Sequence, residues 1–184
     1  MGSKEEAIQL YLLGVQNWGI TKAVYDELND IQRTMVHPKP GARDGSYALN
    51  EDVRSLFSVA LSGGVFDIIH PGHIHTLQEA RKQADVLVVV VATDETVTKA
   101  KGREPLHTQN ERAELAGALK PVDLAIVGVS RWQDTLARVS PDVVVFGYDQ
   151  KPLPLPPELK VVQLTTHHPN PNSKTGKVRE AFGL

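Results

Sequence analysis

The 184-residue chain contains no cysteine. Disulfide bonds, thiolate nucleophiles and cysteine-ligated zinc are therefore excluded, and the fold must be stabilised without them. An excess of charge of either sign is missing too, because the formal net charge is only −2. A chain with this charge has no bulk attraction to nucleic acid or to an anionic membrane, so we expect neither as a partner. Specific binding of phosphate groups stays compatible with such a balance.

Long hydrophobic runs are missing as well. No apolar stretch approaches the roughly 20 residues that cross a bilayer. No charged segment followed by an apolar one marks a secretory signal. We therefore expect a cytoplasmic protein. The hydrophobic fraction of 41% and the charged fraction of 23% are typical of a globular domain.

From about residue 55 onward, apolar runs alternate with helical patterns. The clearest strand is "DVLVVVVATD", residues 85–94, because a continuous β-branched run is typical of a strand buried on both faces of a parallel sheet. The other predicted strands lie at 57–62, 122–128, 142–147 and 160–165, and the predicted helices lie at 71–84, from a capping box at Thr108, at 134–139 and from about Ser173. This alternation predicts an α/β fold, a Rossmann-like open parallel sheet of about five strands with helices on both faces.

Residues 1–54 differ in pattern and predict a small helical N-terminal extension beside the main domain at 55–184. Ser3 can cap a helix through Leu13. Thr21 can start a second helix whose apolar face carries Val24, Tyr25, Leu28, Ile31 and Met35. The stretch "HPKPGARDGS" predicts a loop, and Asn50 can cap a third, short helix.

The charge of the extension bears on one alternative, a DNA-binding module. Residues 1–54 contain six Lys and Arg side chains against eight acids. This balance lacks the basic footprint that contacts phosphates along a duplex. The role of the extension stays open.

The most informative stretch is "SGGVFDIIHPGHIHTLQEARKQAD", residues 62–85. It lies where the first predicted strand meets the first helix, the position at which open α/β sheets bind ligands. Gly63 and Gly64 let a phosphate approach the backbone amides closely. Pro71 suits the first helical turn, whose partial positive charge favours an anion near His70 and His73.

The histidines have two alternative interpretations. Either ring could be a capping or core-edge residue. A zinc site of His70, His73 and His75 is disfavoured, because His75 projects elsewhere on the helix and no nearby thiolate or carboxylate completes a tetrahedral set. We therefore expect no metal held by side chains.

The stretch "GVFDIIHPGHIHTLQEA" resembles the GxFDxxHxGHxxxLxxA signature of the cytidylyltransferase-like nucleotidyltransferase superfamily. "VVATDETVTKAKGREPLHTQNERAELAGALKPVDLAIVG" and "PDVVVFGYDQ" are similar to its second and third blocks. The archaeal-type FAD synthetases are the most similar branch, through "DETVTKAKGR", "ALKPVD" and "GYDQ". Glycerol-3-phosphate cytidylyltransferases and the nucleotidyltransferase of heptose biosynthesis follow. The resemblance covers about residues 57–182.

The resemblance implies that 55–184 is a nucleotidyltransferase domain. In this chemistry an acceptor phosphate attacks the α-phosphorus of a nucleoside triphosphate in line, and pyrophosphate leaves. His70 and His73 are implied to contact the triphosphate as catalytic residues. Backbone amides of Gly64, Val65 and Phe66 are implied to surround its phosphates.

Further residues are implied by position. Lys101 and Arg103 follow the second predicted strand and would bind the acceptor and the triphosphate, with Lys101 also catalytic. Asp94 could hold a ribose hydroxyl or the acceptor, or cap the following turn. Arg112 could reach the acceptor phosphate, or only pair with acids around it. Asp149, in "GYDQ", is expected to face the nucleotide.

The last block departs from the family pattern, which is roughly I-S-S-S-x-I-R. The aligned stretch is "SKTGKVR", residues 173–179. Thr175 and Arg179 match and are expected to bind the triphosphate, whereas Lys174 and Gly176 replace two hydroxyl residues. An ordinary amphipathic C-terminal helix is the alternative.

These residues lead us to expect an FMN adenylyltransferase that makes FAD and pyrophosphate from FMN and ATP with Mg²⁺. One alternative is a cytidylyltransferase that uses CTP and a small phosphorylated alcohol such as glycerol 3-phosphate. Another is an inactive nucleotide-binding regulatory protein, which the altered last block favours. Trp132, Phe146 and Tyr148 are candidates for a wall against the flavin ring. The family and the helical extension suggest a homodimer.

Overall fold

The computed structural model describes residues 2–40, 45–166, 169 and 175–182. The chain divides into two compact units, Met1–Ser58 and Val59–Leu184. The sequence had suggested a boundary between residues 54 and 55. Phe57 belongs to the first unit, where its ring lies edge-on to Tyr11 at 5.3 Å between centroids, and the strand predicted from residue 57 begins at Val59.

The described part of the first unit contains four short helices and a two-stranded antiparallel sheet. The helices are α1 (Lys4–Gln16), α2 (Lys22–Glu27), α3 (Asp30–Thr34) and α4 (Glu51–Arg54), and the strands are β1 (Val36–Pro38) and β2 (Tyr47–Leu49). The predicted cap of α1 is confirmed. Ser3 Oγ accepts a hydrogen bond from the Glu6 amide, and the Glu6 carboxylate accepts one from the Ser3 amide.

The single helix predicted from Thr21 is wrong, because the structure contains two helices there. Thr21 does cap α2 through its side chain. Leu28 then adopts an extended conformation, with ψ at 144°. Asn29 begins a new capping box with Gln32 and starts α3. The apolar spacing was compatible with one helix, and the local side-chain hydrogen bonds of Asn29 decided otherwise.

The stretch "HPKPGARDGS" is not entirely a loop, since its first residues belong to β1. Strand β1 pairs with β2, and His37 faces Ala48 across the pair. Asn50 precedes α4 as predicted, yet its side chain makes no capping hydrogen bond. The side-chain amide of Asn50 donates instead to the Thr34 carbonyl at 2.9 Å.

The second unit is built on a five-stranded parallel sheet with the strand order β5-β4-β3-β6-β7. Its strands are β3 (Val59–Gly64), β4 (Val86–Val91), β5 (Leu124–Val127), β6 (Val143–Phe146) and β7 (Lys160–Gln163). The Rossmann-like α/β prediction is confirmed. The winding of the sheet reverses between β3 and β6, and the carboxyl ends of these strands form the crevice in which such sheets bind ligands.

The helices of this unit lie on both faces of the sheet. They are α5 (Pro71–Arg81), α6 (Asp94–Lys101), α7 (Gln109–Gly117), α8 (Trp132–Val139) and α9 (Thr175–Phe182). Leu77 of α5 and Ala116 of α7 pack with Leu87 and Val89 of β4 in a fully buried core. Val90 points to the opposite face, because side chains alternate along a strand. There it shares a cavity with residues of α8.

No helix was predicted at residues 94–101, where α6 lies. Only Val97 of this helix is buried, so the apolar periodicity was too weak to indicate it. The start and stop signals were present. Thr93 Oγ1 accepts a hydrogen bond from the Thr96 amide, and Gly102 ends the helix with a φ of 66°.

A carboxylate anchors the start of the central strand β3. Asp142 Oδ2 accepts a hydrogen bond from the Val59 amide at 2.7 Å, and Val59 itself is fully buried. Asp123 does the same for the Leu87 amide of β4, also at 2.7 Å. Loops at the amino edge of the sheet therefore supply acceptors that the strand ladder lacks.

Replacing Asp142 by Ala is expected to lower the free energy of unfolding by about 1–3 kcal/mol, because the amide of the buried Val59 loses its acceptor. Asp142→Asn retains an acceptor oxygen and should lose less. Urea denaturation followed by the fluorescence of Trp132, which lies in the same unit, measures both changes. Equal stability of the Ala variant and the wild-type protein would contradict the anchoring role.

Candidate active site

The crevice between β3 and β6 begins with two glycines, of which the second has little room for a side chain. A Cβ added to Gly63 would lie 3.4 Å from the Val90 carbonyl oxygen. A Cβ added to Gly64 would lie 2.8 Å from the ring of Phe66. Phe66 itself has a φ of 54°, a conformation that costs free energy for a residue with a side chain. This turn places the Phe66 ring beneath the start of α5.

His70 and His73 lie together at the mouth of α5. Their rings stack at 3.8 Å between centroids, and the Phe66 ring lies 5.1 Å from that of His73. His70 precedes the helix but makes no side-chain capping hydrogen bond, which removes the capping role considered for it. His75 lies apart from the pair, with its Nε2 at 3.4 Å from Thr166 Oγ1.

The two stacked histidines are poor bases in this environment. Burial, together with the charges of His70 and Lys101, lowers the pKa of His73 to about 4, against a hydrogen bond with the Ile68 backbone. Burial also lowers the pKa of His70, while Asp149 opposes that shift. Both rings are therefore neutral at pH 7 and can donate through one N–H group each.

A buried carboxylate, Asp67, organises the cations beside the histidines. Its side chain is 1% exposed, and its Oδ1 accepts hydrogen bonds from the amides of Leu106 and His107 at 2.7 and 3.1 Å. Its Oδ2 lies 3.6 Å from Arg103 Nη1 and 3.7 Å from Arg179 Nη1. Asp67 thereby gathers two guanidinium groups from distant parts of the sequence. The sequence motif contained Asp67, but it was not singled out.

Lys101 lies in the same charge cluster. Its pKa is lowered first by partial burial of the ammonium group and then by Arg103, with Asp67 opposing and Arg112 and Arg179 contributing less. Lys101 in turn lowers the pKa of His73. Three cationic side chains thus lie near one carboxylate, namely Lys101, Arg103 and Arg179. An anionic ligand would relieve this excess of positive charge.

Arg112 takes a different place from the one expected. Its side chain is fully buried. Nη1 donates to the Val65 carbonyl at 2.6 Å, and Nη2 donates to the Ala92 carbonyl and to the Asp94 carboxylate, both at 2.7 Å. Nε donates to the His107 carbonyl at 3.0 Å. Of the two roles considered, the structure therefore places Arg112 in pairing behind the wall of the site rather than on its surface.

The same contacts define what Asp94 and Val65 do. The Asp94 carboxylate accepts from Arg112 and is half-exposed, so it serves as a counter-ion within the wall. The Val65 carbonyl oxygen accepts from Arg112 and therefore points into the interior of the protein. An arrangement of this kind leaves amides of the turn available to face a phosphate.

Gln150 is a further residue that sequence reasoning missed. Its side-chain amide donates to the Gly63 carbonyl at 2.8 Å, and its carbonyl oxygen accepts from the Gly147 amide at 2.7 Å. Gln150 thereby joins the carboxyl ends of β3 and β6. The "GYDQ" match pointed to this position, but only its aspartate was selected. Asp149 is exposed and acts electrostatically on His70.

The last family block is described only in part. Thr175 begins α9, and Arg179 of the same helix reaches Asp67. A Cβ added to Gly176 would meet no atom of the described residues within 4 Å. Lys174 lies outside the described residues, as does the Ser173 from which the helix was predicted to begin.

A cavity of about 590 Å³ opens beside the glycine turn, and Gly63, Trp132 and Phe146 are among the residues that line it. Within the described ranges, no group of three or more His, Asp or Glu side chains is placed to hold a metal ion. Of the helices described, none is both long enough and apolar enough to cross a membrane.

Comparison with known proteins gives relatives over the same part of the chain. A family model described as cytidylyltransferase-like matches residues 61–168. The FAD synthase of Thermoplasma acidophilum is 50% identical over 92 residues, which are 50% of this chain and 64% of that protein. The FAD synthase of Methanopyrus kandleri is 55% identical over 94 residues, which are 49% of this chain and 62% of that protein. This chain thus spans less than two thirds of the length of these relatives.

One solved structure extends the comparison. The crystal structure of the lipopolysaccharide core biosynthesis protein from Thermoplasma volcanium aligns with a TM-score of 0.55 and 36% identity. The alignment covers 61% of this chain and 98% of that one. Since the family model also spans more than half of the chain, including the glycine turn and the stacked histidines, this protein belongs to the cytidylyltransferase-like family.

Proposed function

We propose that this chain is a nucleotidyltransferase that transfers AMP from ATP to FMN and produces FAD and pyrophosphate. The observation that carries the proposal is the pair of stacked, neutral histidines at the mouth of α5, next to a cluster of cations. Such a site suits a polyphosphate. The two relatives named FAD synthase support ATP and FMN as the substrates.

The reaction needs no covalent intermediate. A phosphate oxygen of FMN forms a bond to the α-phosphorus of ATP, the bond from that phosphorus to the bridging oxygen breaks, and pyrophosphate leaves with the electron pair. The protein contributes positioning and charge stabilisation. Holding the two phosphates in register can supply about 7–11 kcal/mol of the barrier. One donor aimed at the developing charge can supply about 2.7–4 kcal/mol more.

The residues divide this work between them. His70 and His73 donate hydrogen bonds to the triphosphate, where charge accumulates on the departing pyrophosphate. The amides of the glycine turn contact the same phosphates. Lys101 and Arg103 bind the acceptor phosphate, and Arg179 binds the triphosphate from α9. Since the cations already lie around Asp67, they are gathered in the site before any substrate arrives.

Magnesium is expected to enter with ATP. Mg²⁺ prefers oxygen ligands, keeps several waters and usually binds through substrate phosphates and one or two carboxylates. Asp67 is buried and already hydrogen-bonded to two amides, whereas Asp149 is exposed beside His70. Asp149 is therefore the carboxylate available to an ion that the triphosphate carries. The metal would supply charge neutralisation for the leaving pyrophosphate.

A cytidylyltransferase acting on a small phosphorylated alcohol is the second candidate. The match to a family model described as cytidylyltransferase-like favours it. The glycine turn and the stacked histidines suit either reaction, since both reactions use a nucleoside triphosphate. We also expect a homodimer, and light scattering tests this by measuring the molar mass in solution.

Purified protein is expected to form FAD and pyrophosphate from FMN and ATP. A panel of nucleoside triphosphates and acceptors, followed by pyrophosphate release and by chromatography of the product, measures this. Activity with CTP and glycerol 3-phosphate, without FAD formation from ATP and FMN, would exclude the proposal. Binding of ATP without turnover of any acceptor would favour the regulatory alternative.

Variants at two histidines control this experiment. His73→Ala is expected to reduce kcat by about a hundredfold or more, because a donor to the developing charge is lost. His75→Ala, on the same helix but outside the stacked pair, should stay close to the wild-type rate. Equal losses in both variants would point to damage to α5 rather than to catalysis.

ATP binding is expected to take up protons at about pH 5.5. The pKa of His73 is about 4 in the free site, and a triphosphate beside the ring favours its charged form and raises that pKa. Because the bound state then holds more protons, affinity increases as pH falls through the bound pKa and levels off below about 4. Isothermal titration calorimetry in two buffers of different ionisation enthalpy measures the uptake. His73→Asn should lose much of it and His75→Asn should keep it, whereas uptake of no protons by the wild-type protein would contradict the expectation.

Replacing Arg112 by Met is expected to lower the free energy of unfolding by about 3–5 kcal/mol, because one buried partner of a charged pair is removed. Three backbone carbonyls also lose their donor. Arg103→Met, at a partly exposed position, should change stability little and raise the KM of a substrate. Urea denaturation and steady-state kinetics measure the two effects. A stable Arg112→Met protein with only a raised KM for the acceptor would show that Arg112 binds substrate instead.

A further inference from the structure

The cavity of about 590 Å³ lies on the sheet face opposite α5 and α7. Its floor is formed by Leu61, Val90 and Val144, which alternate with the residues that face the buried core. Trp132 of α8 and Phe146 of β6 contribute aromatic side chains to its wall. The phosphate chemistry of the site does not use this apolar surface. A ligand with a large apolar part would bury it.

The proline-rich stretch "KPLPLPPE", residues 151–158, supplies another wall. Its prolines predict an irregular but stiff segment, because each fixes φ and lacks a donor. Leu153 and Leu155 both line the cavity, and the Leu155 amide donates to the Leu153 carbonyl at 2.8 Å. Leu153 is nevertheless 46% exposed. The segment therefore presents a leucine surface whose backbone loses little conformational entropy when a ligand contacts it.

The cavity adjoins the glycine turn. Gly63 lines it, and Gln150, which also lines it, donates to the Gly63 carbonyl. Thr96 and Ala100 lie on the face of α6 that borders the cavity. The next residue, Lys101, acts on His73 and belongs to the cation cluster. One helix thus joins an apolar chamber to the positions proposed for the acceptor phosphate.

We infer that this cavity is the subsite for the isoalloxazine ring of FMN, an inference that rests on the proposed function. The ring is flat, with an apolar dimethylbenzene edge and a polar edge of carbonyls and nitrogens. Its faces suit Trp132 and Phe146. Thr135, Gln150 and Lys151 offer polar groups at the border of the cavity. The volume lies within the range of sites for ligands of this size, and a phosphorylated three-carbon alcohol would leave most of it empty.

Trp132 offers a direct readout, since the chain contains only two tryptophans. In a Trp18→Phe background, Trp132 is the sole source of tryptophan emission. Riboflavin carries the ring but no phosphate, and it is expected to quench this emission on binding. ATP alone should leave the emission unchanged. Quenching by ATP with none by riboflavin would assign the cavity to adenine and overturn the inference.

Substitutions in the cavity wall test its use in turnover. Leu153→Gln is expected to raise the KM for FMN roughly tenfold, because apolar contact with the ring is lost, and to leave the KM for ATP close to that of the wild type. Because Leu153 is exposed, this substitution is expected to leave the fold intact. Leu136→Gln, on α8, should act in the same direction. Leu115→Gln, an exposed leucine of α7 outside the cavity, is the matched control.

The outcomes separate this inference from the proposed function. If the wild-type protein forms FAD and both cavity variants keep its KM for FMN, the subsite assignment is overturned while the function stands. If a raised KM appears for ATP instead, the assignment is overturned as well. If no FAD forms, the proposed function fails, and riboflavin quenching then decides alone whether the cavity binds the ring.

Discussion

The buried guanidinium of Arg112 is the contact on which the site depends. It joins the carbonyls of Val65, Ala92 and His107 with the carboxylate of Asp94, so three loops at the carboxyl edge of the sheet share one hub. Each of these carbonyls is partly buried and would otherwise lack this donor. The phosphate-binding turn, the start of α6 and the start of α7 therefore hold their positions together.

The charge of the site follows from a second constraint, the burial of both anionic and basic groups close together. Asp67 stabilises Arg103 and Arg179, while burial keeps the stacked histidines neutral. Asp67 and the neutral histidines limit the repulsion between the cations of the empty site, although Arg103 still lowers the pKa of Lys101. The site still presents many donors to a polyphosphate, whose charge then shifts the protonation of the histidines.

Local patterns in the sequence predicted most of the second unit. The β-branched run of β4 and the capping box of Thr108 depend on neighbours a few residues away, and both are confirmed. Helix α6 was missed because its side chains, apart from Val97, contact little of the core. Asp67 and Gln150 were missed for another reason. Their partners, Arg179 and Gly63, are remote in sequence, so only the folded chain reveals what these two side chains do.

The strained turn at Phe66 links two positions that the sequence would treat as independent. Any side chain at residue 64 collides with the Phe66 ring, and that ring lies against His73. A substitution of Gly64 would therefore displace the catalytic histidine, His73, through the Phe66 ring. Substitutions at positions 64 and 66 are therefore expected to be coupled in their effects rather than additive, because the two residues share one van der Waals contact.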